Sequence, residues 1–326
     1  MEARVTSSWL DQHRSAYVNR AVCVTGGAGF IGSHIVSALD QLGAKVTVID
    51  DLSNGRAENL ATCSKGVELI EGSILDASSL ERAVRGAQVV FHLAALGSVP
   101  ASLVTPERFQ SVNATGTMLV LNAARTAGFG RVVYSASSSA YGDTPTLPKI
   151  ETMVPDPRSP YAVTKLEGEH LCRAWAICYG LSTISLRYFN IFGSRQRPDS
   201  QYAAVIPKFA TALRAGNQPT IFGDGGQTRD FTHVENAVHA NLLAGSSATV
   251  LRGEMVNIGC GAKFSLLELL ERMSALLGVK ASPHFEPTRQ GDVRDSMAAI
   301  GAAKALIGYA PVVHFEDGLR ATLGVK

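Results

Sequence analysis

The stretch "VCVTGGAGFIGSH", residues 22 to 34, decides the fold. A short β-branched run leads into Gly26, Gly29 and Gly32, and an amphipathic segment follows at once. Glycines so placed let a strand turn sharply into a helix whose positive N-terminus lies open to a pyrophosphate. The triplet alone is a weak signal, and the next acidic residue strengthens it. Asp50 ends the following run "KVTVID", eighteen residues after Gly32. A carboxylate there accepts from both ribose hydroxyls of an adenosine and repels a 2′-phosphate. Strand, turn, helix and acid together predict a dinucleotide site for NAD rather than NADP.

The pattern continues outward from this unit. The runs "VELIEG" (67 to 72), "QVVFHLAA" (88 to 95), "RVVYSAS" (131 to 137) and "STISLRYFN" (182 to 190) read as strands buried on both faces. Helical patterns such as "FIGSHIVSALDQLG" and "TPERFQSVNATGTMLVLNAARTAG" lie between them. The alternation predicts an α/β fold, a Rossmann doubly wound parallel sheet. Beyond about residue 191 the rhythm weakens into loops such as "DGGQTRD" and "PHFEPTRQGDVRD". The expected division is an NAD-binding domain over 1–190, joined by about 232–259, and a smaller α/β substrate-binding part over 191–326.

Composition narrows the function classes. With 326 residues, 46% of them hydrophobic, the chain can bury a large core. Thirty basic and 28 acidic side chains give a net charge of +2 with no block of one sign, which argues against a general nucleic-acid or membrane-surface role. The five cysteines are odd in number and lack C-x-x-C spacing, which suits a reducing compartment. Neither they nor the histidines have metal-ligand spacing, so no metal is expected. No apolar run reaches membrane-span length and the N-terminus lacks a signal-peptide pattern, so the expected location is cytoplasmic.

Two further stretches carry chemistry. In "SPYAVTKLEGEH", Ser159 and Pro160 make a helix start, which puts Tyr161 and Lys165 at i and i+4 on one face. An ammonium beside a phenol favours the phenolate, making Tyr161 a candidate proton acceptor. In "SASSSAYG", residues 135 to 142, three consecutive hydroxyls stand where an acid would be the obvious group for expelling water.

The stretches "TGGAGFIGS", "SASSSAYG", "SPYAVTK" and "LRYFNIFG" resemble the extended short-chain dehydrogenase/reductase family, specifically its nucleotide-sugar 4-epimerases, from about residue 20 to the C-terminus. The resemblance implies catalysis by Ser137, Tyr161 and Lys165. It implies cofactor contacts from Gly26, Gly29, Phe30, Ile31, Gly32, Asp50, Asn54, Ser73 and Ile74, with Tyr161 and Lys165 shared. It adds Asn113, matching a family position that supports the active-site helix. Ser73 stands in "GSI" where many relatives read "GDI", so a hydroxyl replaces the carboxylate that holds the adenine amino group.

Related dehydratases and decarboxylases carry an acid in the serine stretch, whereas hydroxyls suffice for reversible oxidation at C4. On the substrate side the resemblance assigns Asn190, Arg229 and Arg289 to the nucleotide diphosphate and Asp292 to its ribose. Gly97, Ser98, Ser138, Ser139 and Ser296 then border the sugar. Ser296 replaces a bulky Tyr, and Gly97 replaces a Lys, of bacterial UDP-galactose 4-epimerases. Both features resemble the branch acting on UDP-N-acetylhexosamines, as does "SSWLDQHRSAYV", similar to an extra helix before the first strand. The expectation is an NAD-dependent epimerase of UDP-GlcNAc and UDP-GalNAc or their uronic acids. The alternatives are a UDP-glucose or UDP-glucuronate 4-epimerase and a catalytically silent NAD-binding regulatory protein. The helices from about 105 to 127 and 160 to 180 resemble those that pair in family homodimers.

Overall fold

The β-branched runs become strands because each can bury side chains on both faces of a sheet. In the computed structural model, which describes residues 8–64, 66–128, 130–197, 204–288 and 293–325, these are β1 (Ala21–Thr25), β2 (Lys45–Asp50), β3 (Val67–Glu71), β4 (Val89–His92), β5 (Arg131–Ser137) and β6 (Ser182–Tyr188). The expected run 88–95 stops as a strand at His92. The next two amides turn to Thr25 instead, with Leu93 N and Ala94 N each donating to its Oγ1 at 3.2 Å.

A strand from the far side of the sequence, Arg252–Ile258, pairs with β6, so the sheet runs Arg252–Ile258, β6, β5, β4, β1, β2, β3. All of its pairings are parallel. This is the doubly wound sheet expected from the sequence. Strand order reverses between β4 and β1, and the carboxyl ends of those strands open a crevice there.

Each sheet face is covered by helices. Ile35 and Val36 of helix Phe30–Gln41 and Ala237 and Val238 of helix Val234–Ser246 share one core with Val48 and Phe91. Leu80, Val120 and Cys172, from helices Ala77–Val84, Gly116–Thr126 and Pro160–Tyr179, share the other with Val132 and Tyr134.

The helical pattern expected from 105 to 128 is interrupted by a wider π-type turn at Gln110–Thr115, followed by the helix Gly116–Thr126. Such turns often mark functional sites. The N-terminal segment forms two short helical turns, Ser8–Asp11 and Arg14–Tyr17, instead of one helix. They dock on helix Val234–Ser246 through a Tyr17 hydroxyl bond to the Leu242 carbonyl (2.8 Å) and a buried His13–His239 contact (3.0 Å).

After residue 191 a second core gathers around Phe192, Phe209, Ile221, Phe231, Leu269 and Phe315. Phe315 stacks on Phe264 at 4.2 Å between ring centres and on Phe231 at 5.8 Å. Short strand pairs, Thr220–Phe222 with His284–Glu286 and Thr228–Arg229 with Phe264–Ser265, complete this part.

Helix Pro160–Tyr179 has clear start and stop signals. Ser159 Oγ accepts from Ala162 N (3.2 Å), Pro160 opens the first turn, and Gly180 ends the helix at φ +70°. Midway, Gly168 lets it close onto β5, for a Cβ there would lie 2.2 Å from the Tyr134 hydroxyl oxygen. Gly168→Ala should therefore cost about 1–3 kcal/mol of stability by overpacking. Urea unfolding followed by circular dichroism measures that loss, and an unchanged midpoint would mean Tyr134 yields freely.

Candidate active site

The glycine turn is set by contact distances. Gly26 has φ +68°, and a Cβ there would lie 2.7 Å from Ala94 N, which brings the ends of β1 and β4 together. A Cβ on Gly32 would lie 2.1 Å from the Gly26 carbonyl oxygen, so only glycine lets helix Phe30–Gln41 start this close to the strand. The helix N-terminus consequently faces the crevice, where its free amides and dipole favour an anion.

Asp50, at the end of β2, is buried. It accepts from Ala28 N and Leu52 N, both at 2.9 Å, and burial pushes its carboxyl above the usual range. The same side chain thus fixes the glycine turn and borders the cleft. Gly55 also belongs here, since a Cβ on it would come within 2.6 Å of Asp50 Oδ1. Asn59 Nδ2 donates to Ala28 O at 2.8 Å and steadies the turn from outside. Neither residue was singled out from sequence, because neither has a fixed spacing from the glycines. A glycine-rich turn, a helix start and a carboxylate form a cradle that fits NAD.

Ser137 ends β5 beside Tyr188 of β6 and borders the same cleft as Tyr161. Its Oγ accepts from Ser139 N (3.2 Å) and Ser139 Oγ (2.9 Å), so the serine row is partly its own support. Tyr161 is half-buried and lines the cleft with Ser137, whose hydroxyl favours the ionised phenol.

Lys165 is 4% exposed, with Nζ 4.6 Å from the centre of the Tyr134 ring. Burial pushes its ammonium down to about 8, opposed by the negative charge of Glu169. For Tyr161 the sequence suggested a lowered hydroxyl pKa. In the chain by itself the direction is upward, because burial outweighs the Ser137 hydrogen bond.

A cleft of about 880 Å³ joins these groups to the second part of the chain. That lies toward the upper end of roughly 300–1,000 Å³ for ligand clefts. Phe30, Ile31, Asn54, Ser73 and Ile74 line its cofactor side, and Gly97, Ser98, Ser138, Ser139, Asn190, Arg229 and Ser296 line the rest.

Asn113 does not line it. Its amide is held between Leu96 N (2.8 Å), Leu96 O (3.1 Å) and Thr164 Oγ1 (3.1 Å), which locks the π-type turn to the Tyr161 helix. Arg289 and Asp292 lie outside the described residues.

Ser296 is buried, receives a 3.4 Å contact from Asn190 Nδ2, and donates its backbone N–H to Thr228 O at 3.1 Å. Arg229 Nη1 donates to Thr228 O (2.9 Å) and Arg294 O (3.2 Å). Neighbouring Asp230, also missed in the sequence, accepts from Cys260 N, Gly261 N and Ala298 N within 3.0 Å and ties three loops together behind the cleft. Among the described residues no group of three His, Cys, Asp or Glu side chains is arranged to hold a metal, and no helix is long and apolar enough to cross a membrane.

Comparison with known proteins gives the geometry a lineage. The family described as NAD dependent epimerase/dehydratase matches residues 22–259. A UDP-glucose 4-epimerase of Mycolicibacterium smegmatis is 38% identical over 92% of this chain and 96% of its own length. A UDP-N-acetyl-alpha-D-glucosaminuronate decarboxylase of Bacillus cytotoxicus is 34% identical over 92% and 95%. The structure of a UDP-N-acetylglucosamine 4-epimerase from Methanobrevibacter ruminantium, in complex with UDP-N-acetylmuramic acid, superimposes with a TM-score of 0.90 at 38% identity, covering 94% of this chain and 98% of that one.

Gly32→Ala should remove bound NAD, because the added methyl group displaces the turn from the helix start. Cofactor released from denatured protein, quantified by absorbance, should fall at least about tenfold, the equivalent of ~1.4 kcal/mol in binding. The chain belongs to the NAD dependent epimerase/dehydratase family and is an NAD-dependent enzyme of its epimerase branch.

Proposed function

We propose that this epimerase inverts C4 of UDP-N-acetylhexosamines, interconverting UDP-GlcNAc and UDP-GalNAc or the corresponding uronic acids. The observation that carries the choice of sugar is Ser296, a small buried side chain in the cleft wall beside Asn190. A serine there leaves room for a 2-acetamido group that a tyrosine would fill. The matched UDP-N-acetylglucosamine 4-epimerase supports the same reading.

Ser137, Tyr161 and Lys165 carry the chemistry in this proposal. Tyr161 takes the C4 hydroxyl proton, and Ser137 hydrogen-bonds the same oxygen as it becomes a carbonyl. The Lys165 ammonium stabilises the phenolate that Tyr161 needs to present. NAD, when bound, supplies hydride exchange at C4. The 4-keto sugar turns over between the two transfers and offers its opposite face. The stretch Ser137–Gly142 contains only hydroxyl, methyl and glycine positions, and with no carboxylic acid there to protonate a departing C6 hydroxyl, epimerisation is favoured over dehydration.

Asn190 and Arg229 hold the diphosphate, together with Arg289, and Asp292 takes the uridine ribose. Gly97, Ser98, Ser138 and Ser139 border the sugar. The cofactor lies along Gly26 to Gly32, Asp50, Asn54, Ser73 and Ile74. The substrate-binding part is the chain from 191 onward, less the segment 232–259 that returns to the sheet.

Purified protein without added NAD, given UDP-GlcNAc, should form UDP-GalNAc, read from the sugar's anomeric proton by NMR. Silence toward UDP-GlcNAc, UDP-glucose and their uronic acids, with NAD supplied, would assign a non-catalytic NAD-binding role. Ser296→Tyr should lower kcat/KM for the acetamido substrates about tenfold, ~1.4 kcal/mol in the transition state, while sparing UDP-glucose. Equal losses on both sugars would withdraw the specificity claim. A homodimer through the helices that include Gly116–Thr126 and Pro160–Tyr179 completes the proposal, and light scattering at micromolar concentration should return twice the chain mass.

A further inference from the structure

Beneath the proposed catalytic groups lies an ion pair that the mechanism above does not use. Tyr161, Lys165 and Glu169 recur every fourth residue along helix Pro160–Tyr179, so they share the face that packs on the sheet. Glu169 binds Arg187 of β6 through both oxygens, Oε1 to Nε at 2.8 Å and Oε2 to Nη2 at 2.7 Å. Their side chains are 6% and 0% exposed. The Arg187 guanidinium lies over the Tyr141 ring, 4.6 Å from its centre, and Tyr141 closes the turn that begins at Ser138. In β5 the residue paired with Arg187 is Ala136, immediately before Ser137. One ion pair thus ties the helix bearing Tyr161 and Lys165 to the strand end and turn bearing the serines.

Stability does not account for this arrangement well. A buried ion pair often contributes no more than an apolar pair of equal volume, because desolvation offsets the attraction. The charge has a nearer use. We propose that Glu169 and Arg187 are a positioning pair that fixes the helix face bearing Tyr161 and Lys165 against the strand end and serine turn, with Glu169 as the counterion of the Lys165 ammonium. The proposal rests on the epimerase reading for its kinetic consequence.

The surroundings of Lys165 leave Glu169 as its acidic counterion among the described residues. From its own helix it meets Tyr161, Glu169 and Cys172. β5 contributes the Tyr134 ring, and β4 contributes His92. Burial holds His92 neutral, down to about 3, and the Lys165 charge pushes it the same way. The π-type turn and the following helix present neutral Asn113 and Thr117. β6 adds the positive Arg187, which takes both oxygens of Glu169. Attraction to Glu169 opposes the burial that depresses the Lys165 ammonium, and a positive Arg187 acts on that ammonium in the opposite sense.

The two members therefore act in opposite directions, and the test uses that. For the NAD-loaded protein, kcat is measured against pH with a UDP-N-acetylhexosamine, and the alkaline limb marks loss of the Lys165 proton. Glu169→Gln should move that limb down by about one pH unit, since Glu169 stands one helical turn from Lys165 and a neighbouring opposite charge has an effect of that order. Arg187→Met should move it up, leaving Glu169 wholly to Lys165. The double variant Glu169→Gln/Arg187→Met, which strands no buried charge and folds even where a single variant fails, should move it down by less than Glu169→Gln does. KM for the sugar should change little throughout.

Folded variants that keep the wild-type limb, or that lose activity equally at every pH, would reduce the pair to packing. Direct titration of the Lys165 side chain by NMR of ¹³C-lysine-labelled protein, assigned with Lys165→Met, reads the same shifts without turnover. Wild type that epimerises no UDP-sugar while Lys165 still titrates as expected would overturn the epimerase reading and leave the positioning pair standing.

Discussion

The rest of the site depends on one close approach, that of the Gly32 Cα to the Gly26 carbonyl. With no room for a methyl group between them, the first helix starts against the end of β1 and its amides face the crevice. Gly26 in turn brings β1 against the chain leaving β4, where Thr25 Oγ1 receives two amides. The crevice at the strand-order reversal is therefore walled by backbone. Side chains enter from β2, β5 and the helix carrying Tyr161, and from the helix start and loops that bear Phe30, Asn54 and Ser73.

That division explains what the sequence made legible. Backbone constraints leave composition signatures, and Gly26, Gly29, Gly32, the β-branched runs and Asp50 read directly. Six strands were legible from their apolar runs because burial on both faces admits little else. Lys165 and Tyr161 were legible through helical spacing and the Ser159–Pro160 start. What resisted reading was contact between distant segments. Asp230 looks like one more acid in a loop, yet it collects amides from Cys260, Gly261 and Ala298, none nearer than thirty residues in sequence. Asn113 reads through the resemblance as a support of the active-site helix, but its partners Thr164 and Leu96 leave no local pattern in the sequence. The direction of the Tyr161 shift also escaped the sequence, because spacing gives proximity of charge and says nothing about the loss of water that opposes it.

The active-site helix shows how one element serves packing and chemistry together. Gly168 brings it onto Tyr134, whose ring then lies under the Lys165 ammonium and whose hydroxyl donates to the Lys165 carbonyl at 3.2 Å. The ring face offers a cation an attractive surface without a proton to exchange. Close packing here is a condition of the electrostatics, since a helix displaced outward would admit water and return lysine and tyrosine toward their ordinary behaviour.

Helix Val234–Ser246 and strand Arg252–Ile258 interrupt the smaller part of the chain, the strand forming the edge of the large sheet beside β6. The polypeptide consequently crosses between its two parts more than once, and neither can be lifted out as a continuous cassette. Exchanging the smaller part with that of a relative would sever the sheet as well. A chain wired this way is open to change at single residues of the cleft wall and closed to the exchange of a whole part.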